Sequence, residues 1–312
     1  MTILVGCSGW SYDDWAGRFY PHSLAKTKGR WLAYYARFFP TVEINSSFYQ
    51  TPGERQVQSW ISKGQAVASG FEFSLKMPGA VTHQHLVQKE PAKAAASARA
   101  FQEACAAPLH RAGLLGSVLI QLSPHFRASE ESLAALETLF EALNTEEHSY
   151  ALEFRHTSWQ EGERGLLLSQ ARRLLVKRSV AEVLTDGPAG PVDCADAGPS
   201  PPGGRAGHAY IRFHGRNSDL WFGREKGEGD FRINRYDYLY SKEEIQEWVP
   251  RIKAEEIHSG RVRIYFNNHA RAKAVKNAFQ LMDLLALPHE AKEVNLQDQY
   301  RLGSFGGSEP CG

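Results

Sequence analysis

Residues 41–49, TVEINSSFY, form the stretch that decides the fold. Val42 and Ile44 indicate a β-strand, in which successive side chains point to opposite faces, so Glu43 and Asn45 share the other face. On an exposed edge strand these polar groups would simply face water. In a strand covered on both sides, Glu43 would point into the protein interior, which is unfavourable unless the carboxylate is paired or used. The rest of the sequence has to decide between the two cases.

The chain carries a regular series of short apolar segments separated by helical patterns. A serine-capped amphipathic pattern starts at Ser129, and Ser241 with Glu244 forms a capping-box pattern. Alternating strands and helices predict a parallel sheet, and eight such units predict an α/β fold of the TIM-type (β/α)8 barrel class. We expect one barrel domain over residues 1–290 and a partly disordered tail over 291–312. The predicted strands cover residues 3–9, 41–47, 71–76, 117–122, 150–155, 179–186, 209–215 and 262–268.

Two segments depart from this alternation. Residues 187–207 are rich in Pro, Gly and Ala and occupy the place of a sixth helix, so we predict an irregular loop there. Residues 215–240 form a long connection that interleaves Arg and Lys with aromatic residues, and we expect it to close over a ligand as a lid. Elsewhere, Pro52 is predicted to occupy the first position of a helix.

Composition narrows the class of protein. The 312 residues are 42% hydrophobic and 23% charged with a net charge of +1, which gives no bulk attraction to nucleic acid or an anionic membrane. The four cysteines are far apart and form no Cys-x-x-Cys pair, so neither a disulfide framework nor a structural zinc site is expected. The N-terminus lacks a basic leader, and no apolar run is long enough to span a bilayer. We therefore expect a cytoplasmic protein without a membrane partner.

The predicted strands direct polar side chains into the barrel. If the apolar face of each strand meets the helices, every strand from the second onward places a polar residue inward near its C-terminal end, where active sites of this fold lie. These charges could instead satisfy one another in a buried network without a ligand. Loop residues, among them Trp10, Tyr12 and His269, add aromatic planes and imidazoles around the same mouth. The inward set comprises Glu43, Asn45, Lys76, Gln121, Glu153, Arg155, Asp186, Arg212, His214, Tyr265 and Asn267.

Eight motifs along the chain resemble a known family. GCSGWSYDDWAGRFYP, TVEINSSFYQTP, FSLKMPGAVTH, QLSPHF, EFRHTSW, YIRFHGR, YDYLYSKEEI and FNNH occur here in the order seen in the domain-of-unknown-function 72 (DUF72) family, the YecE-like proteins. The chain departs from it at Cys7, where Thr is common, and at Ser123, where many members carry Pro. The resemblance implies a TIM-type barrel but no established activity. Its likeness to the endonuclease IV and xylose isomerase group is a fold analogy, and fold does not fix function.

The mixed ring of acids and bases favours an enzyme that acts by acid–base chemistry on a phosphorylated or sugar-like small molecule. Arg155 and Arg212 would clamp an anionic group, Glu43 or Glu153 would act as general base, and His214 would titrate with them. No metal and no cofactor is expected. The predicted catalytic residues are Glu43, Glu153, His214 and Asp186, and the predicted substrate-binding residues are Asn45, Lys76, Gln121, Arg155, Arg212, Tyr265, Asn267 and Trp10.

Two alternatives stay open at this point. A metal-dependent nucleic-acid processing enzyme would use the same four catalytic residues as ligands, but nearby Lys and Arg side chains would compete with a metal for the acids. Nucleic acid is thus a possible partner that the sequence does not favour, since acidic residues dilute the basic segment 215–240. A non-catalytic ligand-binding protein would present the same pocket without turnover.

Overall fold

The structure is a computed structural model, and it describes residues 2–67, 70–162, 166–188, 190–191, 207–217 and 236–296. Eight parallel strands form a closed barrel, in which each strand pairs with its neighbours in sequence and the first pairs with the last. This confirms the (β/α)8 prediction. The barrel strands are β1 (Thr2–Ser8), β2 (Thr41–Ile44), β3 (Glu72–Lys76), β4 (Leu115–Gln121), β5 (Tyr150–Glu153), β6 (Val180–Gly187), β7 (Ala209–Phe213) and β8 (Arg261–Phe266).

Helices connect and cover these strands. Ser129 caps α6 by accepting a hydrogen bond from the Ser132 N–H, and Ser241 and Glu244 form the predicted capping box. Pro52 does not begin a helix, because Gly53 is extended and serves as the N-cap of α3. The α-helices are α1 (Trp31–Tyr35), α2 (Ser46–Tyr49), α3 (Glu54–Gln65), α4 (Pro91–Phe101), α5 (Ala107–Arg111), α6 (Glu130–Glu141), α7 (Ser169–Lys177), α8 (Lys242–Gln246), α9 (Val249–Ser259) and α10 (Lys273–Leu284).

The strand register answers the question raised by Glu43. β2 is central, with β1 and β3 on either side, and Glu43 lies in register with Ser8 and Ser74. Val42 and Ile44 belong to the large apolar core, whereas Glu43 is fully buried and points into the barrel. The barrel interior itself holds a small second apolar cluster, made by Leu119, Ala151, Ala181, Val183, Tyr210 and Tyr265.

Several predicted segments lie partly outside the described residues. Most of the 187–207 loop (189 and 192–206), most of the proposed lid (218–235) and residues 297–312 of the tail belong to this group. At the start of the predicted tail, Val294 is buried and the Asn295 N–H donates to the Arg18 carbonyl at 3.1 Å. Among the described helices, none combines the length and apolarity needed to cross a membrane.

Candidate functional site

A buried ion network centred on Arg212 fills the barrel near the C-terminal ends of its strands. Arg212 on β7 is fully buried, and it donates from Nε to Glu43 Oε2 at 3.0 Å and from Nη2 to Glu43 Oε1 at 2.7 Å. Its Nη1 donates to Glu153 Oε2 at 2.6 Å. Tyr210 adds a hydrogen bond to Glu43 Oε2 at 2.7 Å. One guanidinium thus joins carboxylates from two strands on opposite sides of the barrel.

The second oxygen of Glu153 extends the network toward the mouth. Glu153 Oε1 accepts from Gln121 Nε2 at 2.7 Å and from Arg155 Nη1 at 2.8 Å, and it lies 3.3 Å from His214 Nε2. The amide nitrogen of Asn267 is 3.1 Å from His214 Nδ1. Since an amide nitrogen only donates, Nδ1 accepts and Nε2 carries the proton that faces Glu153.

Electrostatics keep both carboxylates ionised. Burial alone would raise the pKa of Glu43, but the charge and hydrogen bonds of Arg212 bring it below its ordinary value. The same balance holds the pKa of Glu153 well below its usual range. Burial is the main cause that lowers the pKa of His214, to about 4, despite the opposing charge of Glu153. At neutral pH the network therefore contains two carboxylates, the guanidinium groups of Arg212 and Arg155, and a neutral imidazole.

This geometry changes the roles expected of the predicted residues. Glu43, Glu153 and Arg212 have no exposed surface, so a ligand at the mouth does not contact them in this conformation. Arg212 is already engaged by two carboxylates and does not clamp an outside anion. Burial lowers the pKa of His214 to about 4, so its imidazole is neutral near pH 7, whereas the sequence predicts a titrating role for it. For this part of the inward set, the structure matches the alternative in which buried charges bind one another.

A cavity of about 500 Å³ opens beside this network. Its lining includes residues at or directly after the ends of five strands, β1 to β4 and β8, and residues from the loops that follow them. Five predicted substrate-binding residues meet there: Trp10, Asn45, Lys76, Gln121 and Asn267. The expected loop residues Tyr12 and His269 also line it, with their rings stacked 4.4 Å apart.

The sequence did not point to every lining residue. Gln56 and Trp60 come from α3, and Tyr49 is the last residue of α2. The sequence pattern of α3 marks one helix face as apolar, but it does not indicate that part of this face extends beyond the barrel rim. Tyr49 is 81% exposed, and an exposed aromatic ring at a cavity edge is the structural signal that identifies it.

The structure places two predicted site residues away from the cavity. Asp186 is in register with Phe213, whose ring packs on Trp248 in the outer layer, while Thr185 is in register with Arg212. A shift of one residue along a strand exchanges its faces, so Asp186 points outward. Tyr265 does point inward, but its hydroxyl lies deep in the barrel, 2.6 Å from Thr41 Oγ1 and 2.8 Å from Ser74 Oγ.

Lys76 places a lysine side chain in the lining of the cavity. It ends β3, and its Nζ lies 4.3 Å from the centre of the Phe48 ring. Throughout the described parts of the chain, no carboxylate comes within ion-pairing distance of this ammonium group. Burial, followed by the charge of Arg212, lowers the pKa of Lys76 to about 7, although Glu43 and Glu153 act in the opposite direction.

This environment leads to a direct prediction for Lys76. We expect its amine to titrate with a midpoint near pH 7, well below the ~10.4 of an unperturbed lysine side chain. Trace acetylation of native protein over a pH series, read by peptide mass spectrometry, measures the midpoint. Peptides with exposed lysines from the same digest serve as internal reference. A midpoint close to the unperturbed value would show that the amine is solvated or paired with an acid in solution.

Side chains with the spacing of a metal site occur far from this mouth. In the chain regions described by the structure, the group with suitable distances is His110, Glu147 and His148, on α5 and in the segment that leads into β5. It therefore lies toward the N-terminal ends of the strands. At the mouth, the available carboxylates are bound by Arg212 and Arg155 instead.

Comparison with known proteins agrees with this architecture. The family model described as "Protein of unknown function DUF72" matches residues 4–300. The UPF0759 protein YunF of Bacillus subtilis (strain 168) is 26% identical over 290 residues, covering 92% of this chain and 96% of that protein. A DUF72 family protein from Thermotoga maritima MSB8 superposes with a TM-score of 0.72 at 29% identity, covering 92% of this chain and all of the other. One from Enterococcus faecalis V583 gives 0.72 at 24% identity, with 94% and 100% covered.

Proposed function

The chain belongs to the DUF72 family, whose description names no activity, and from the barrel mouth we propose an enzyme that acts by acid–base chemistry on a sugar-like or phosphorylated small molecule. The observation that carries this proposal is the cavity of about 500 Å³ where Lys76 meets four carboxamide side chains and several aromatic rings. A concave site with a few convergent polar groups and a perturbed titratable residue is typical of small-molecule enzymes.

The polar lining suits a ligand with several hydroxyl groups. Asn45, Gln121 and Asn267 present carboxamides, which both donate and accept hydrogen bonds. The Oδ1 atom of Asn45 is buried and has no hydrogen-bond partner within the described structure. A buried acceptor of this kind is unfavourable when left unpaired, so a donor from a ligand would satisfy it. Trp10 and Tyr12 add ring surface for the apolar faces of a sugar.

The charge of Lys76 supports an acidic group or a proton-transfer role at this position. Within the buried network, Glu43 and Glu153 are balanced by Arg212 and Arg155, so among the described residues no acid is left to compensate the charge of Lys76. A phosphate beside it would bind the protonated amine. In the absence of such a group, a pKa of about 7 lets Lys76 give or take a proton near neutral pH. Glu43, Glu153 and His214 then act as supports that hold Arg212 and Gln121 in place.

The metal-dependent nucleic-acid enzyme is the second candidate. It is less favoured because the carboxylates at the mouth already bind guanidinium groups, which a metal ion would have to displace. The basic part of segment 215–240 on which nucleic-acid binding would depend lies mostly outside the described residues. A ligand-binding protein without turnover is the third candidate. It would bind its ligand in the same cavity as the proposed enzyme but would form no product.

Ligand binding tests the proposal. A thermal-shift screen of sugars and sugar phosphates should show concentration-dependent stabilisation, because a ligand that binds only the folded state raises its stability. Lys76→Met should weaken binding of a phosphorylated ligand about 10- to 100-fold, as expected for loss of a hydrogen bond to a charged group. Lys273→Met is the matched control, because Lys273 is paired with Asp237 at 2.8 Å and does not line the cavity. Stabilisation only by divalent metals or by short single-stranded DNA would favour the second candidate.

A further inference from the structure

The backbone of Lys76 is held firmly at the end of β3. The Ser47 hydroxyl donates to the Lys76 carbonyl at 2.7 Å, and the Lys76 N–H lies 3.2 Å from the same oxygen. Ser47 is fully buried and follows β2, so two strand ends fix this residue together. The first part of the Lys76 side chain is thus anchored, and its amine reaches the cavity from a rigid base.

Among the described residues, no carboxylate forms an ion pair with the Lys76 amine. Both oxygens of Glu43 are bound to Arg212, and both oxygens of Glu153 are bound by Arg212, Arg155 or Gln121. The ring of Phe48 covers one side of the amine at 4.3 Å. A lysine that is desolvated beside another cation, and that pairs with no acid among the residues the structure describes, has the features of a nucleophilic amine.

We propose that Lys76 forms an imine with an aldehyde or ketone group of the small molecule bound in the cavity. This inference rests on the proposed function and names the substrate class, a polyhydroxylated carbonyl compound. The neutral Nζ attacks the carbonyl carbon, so that the C–N bond forms and the π bond of the C=O group breaks, and the carbonyl oxygen takes up the proton that Nζ releases. The resulting carbinolamine then loses one molecule of water to leave the C=N bond. The step is a condensation, so it needs neither an oxidant nor a reductant.

Other features of the mouth agree with this chemistry. A pKa of about 7 leaves a large fraction of Lys76 unprotonated at neutral pH, as nucleophilic attack requires. His83 packs edge-on against Phe48, and burial together with the charge of Lys76 lowers the pKa of His83 to about 4. The neutral imidazole of His83 therefore adds no second positive charge beside Lys76. The carboxamides of Asn45 and Gln121 would hold the hydroxyl groups beside the carbonyl.

Reductive trapping tests this proposal in the full-length protein. Wild-type protein at pH 7 is incubated with sodium cyanoborohydride and dihydroxyacetone phosphate, D-erythrose or pyruvate, and the modified lysines are mapped by peptide mass spectrometry. Hydride from the reagent converts an imine to a stable secondary amine. We expect modification of Lys76 by at least one probe, at least about tenfold faster than of exposed lysines, because far more of its amine is unprotonated. Lys76→Arg should remove this adduct, whereas Lys273→Arg should retain it.

Binding measured in parallel separates this proposal from the broader one. Glycerol 3-phosphate, which has no carbonyl group, should protect Lys76 from modification if it occupies the cavity. Stabilisation by sugars or phosphates without an adduct on Lys76 would overturn the imine and leave the proposed function standing. Equal modification of all exposed lysines would also overturn the imine. If no compound binds and no adduct forms, both the imine and the proposed function are wrong.

Discussion

Arg212→Met is expected to destabilise the folded protein by about 3–5 kcal/mol, the usual effect of removing one partner from a buried ion pair. Arg212 makes the hydrogen bonds of 3.0 and 2.7 Å to Glu43 and the one of 2.6 Å to Glu153. Without the guanidinium, both carboxylates stay fully buried. Of the hydrogen bonds to Glu43 in the described structure, the one from the Tyr210 hydroxyl then remains. Urea unfolding at neutral pH measures the change.

The matched control for this variant is Arg37→Met. Arg37 pairs with Glu290 at 2.8 Å, but both side chains are at least half exposed, so its loss should change stability by no more than about 1 kcal/mol. The triple variant with Glu43→Gln, Glu153→Gln and Arg212→Met should be more stable than Arg212→Met alone, because no unpaired charge stays buried. A single Arg212→Met variant as stable as wild type would contradict the network.

The same network fixes the direction of a pH effect in the wild-type protein. The folded-state pKa values of Glu43 and Glu153 are lowered, because the attraction of Arg212 outweighs burial. Their contribution to stability is therefore complete above the unfolded-state pKa of about 4.3 and is lost as pH falls through the folded-state values. The triple variant lacks both titrating groups, so its stability should depend less on pH in this acidic range.

The fold was predictable because local signals agreed along the chain. Apolar alternation located all eight barrel strands, and the serine caps of α6 and α8 lie where the sequence places them. The alternation also gave the correct faces for strands such as β2 and β7, where apolar residues fill the outer side. It failed at β6, since Asp186 follows Thr185 and either polar residue could have faced inward. Only the pairing with β7 decides the register there.

The location of the candidate site could be predicted in outline, but the role of each residue in it could not. Strand periodicity shows which side chains share the barrel interior, but not which of them bind one another. Arg212 on β7 meets Glu43 on β2 across the barrel, and that contact depends on side-chain length and on barrel closure. Because these charges are used internally, Lys76 rather than Arg212 faces the cavity. Two inward cations that look alike in sequence thereby acquire different roles.

Asp186→Ala is expected to lower stability by about 3–5 kcal/mol without changing ligand binding per folded molecule, the reverse of what a catalytic residue would show. Asp186 is fully buried and accepts hydrogen bonds from Trp248 Nε1 at 2.8 Å, from Tyr240 at 2.9 Å and from Arg216 Nη2 at 2.8 Å. The substitution removes the carboxylate that these donors share, although Arg216 keeps Glu247 as a partner, and it loosens the contact between β6 and the segment joining α8 to α9.

The control for Asp186 comes from the same ion cluster. Glu247 also binds Arg216 Nη2, at 2.8 Å, but its side chain is 50% exposed. Glu247→Ala should therefore change stability by no more than about 1 kcal/mol. Urea unfolding gives the stabilities, and titration calorimetry with the ligand found in the screen gives the affinity. If Asp186→Ala kept wild-type stability and lost ligand binding or turnover, the residue would belong to the site after all. The outward orientation of its carboxylate predicts the opposite result, because the cavity and Asp186 then lie on different sides of the sheet.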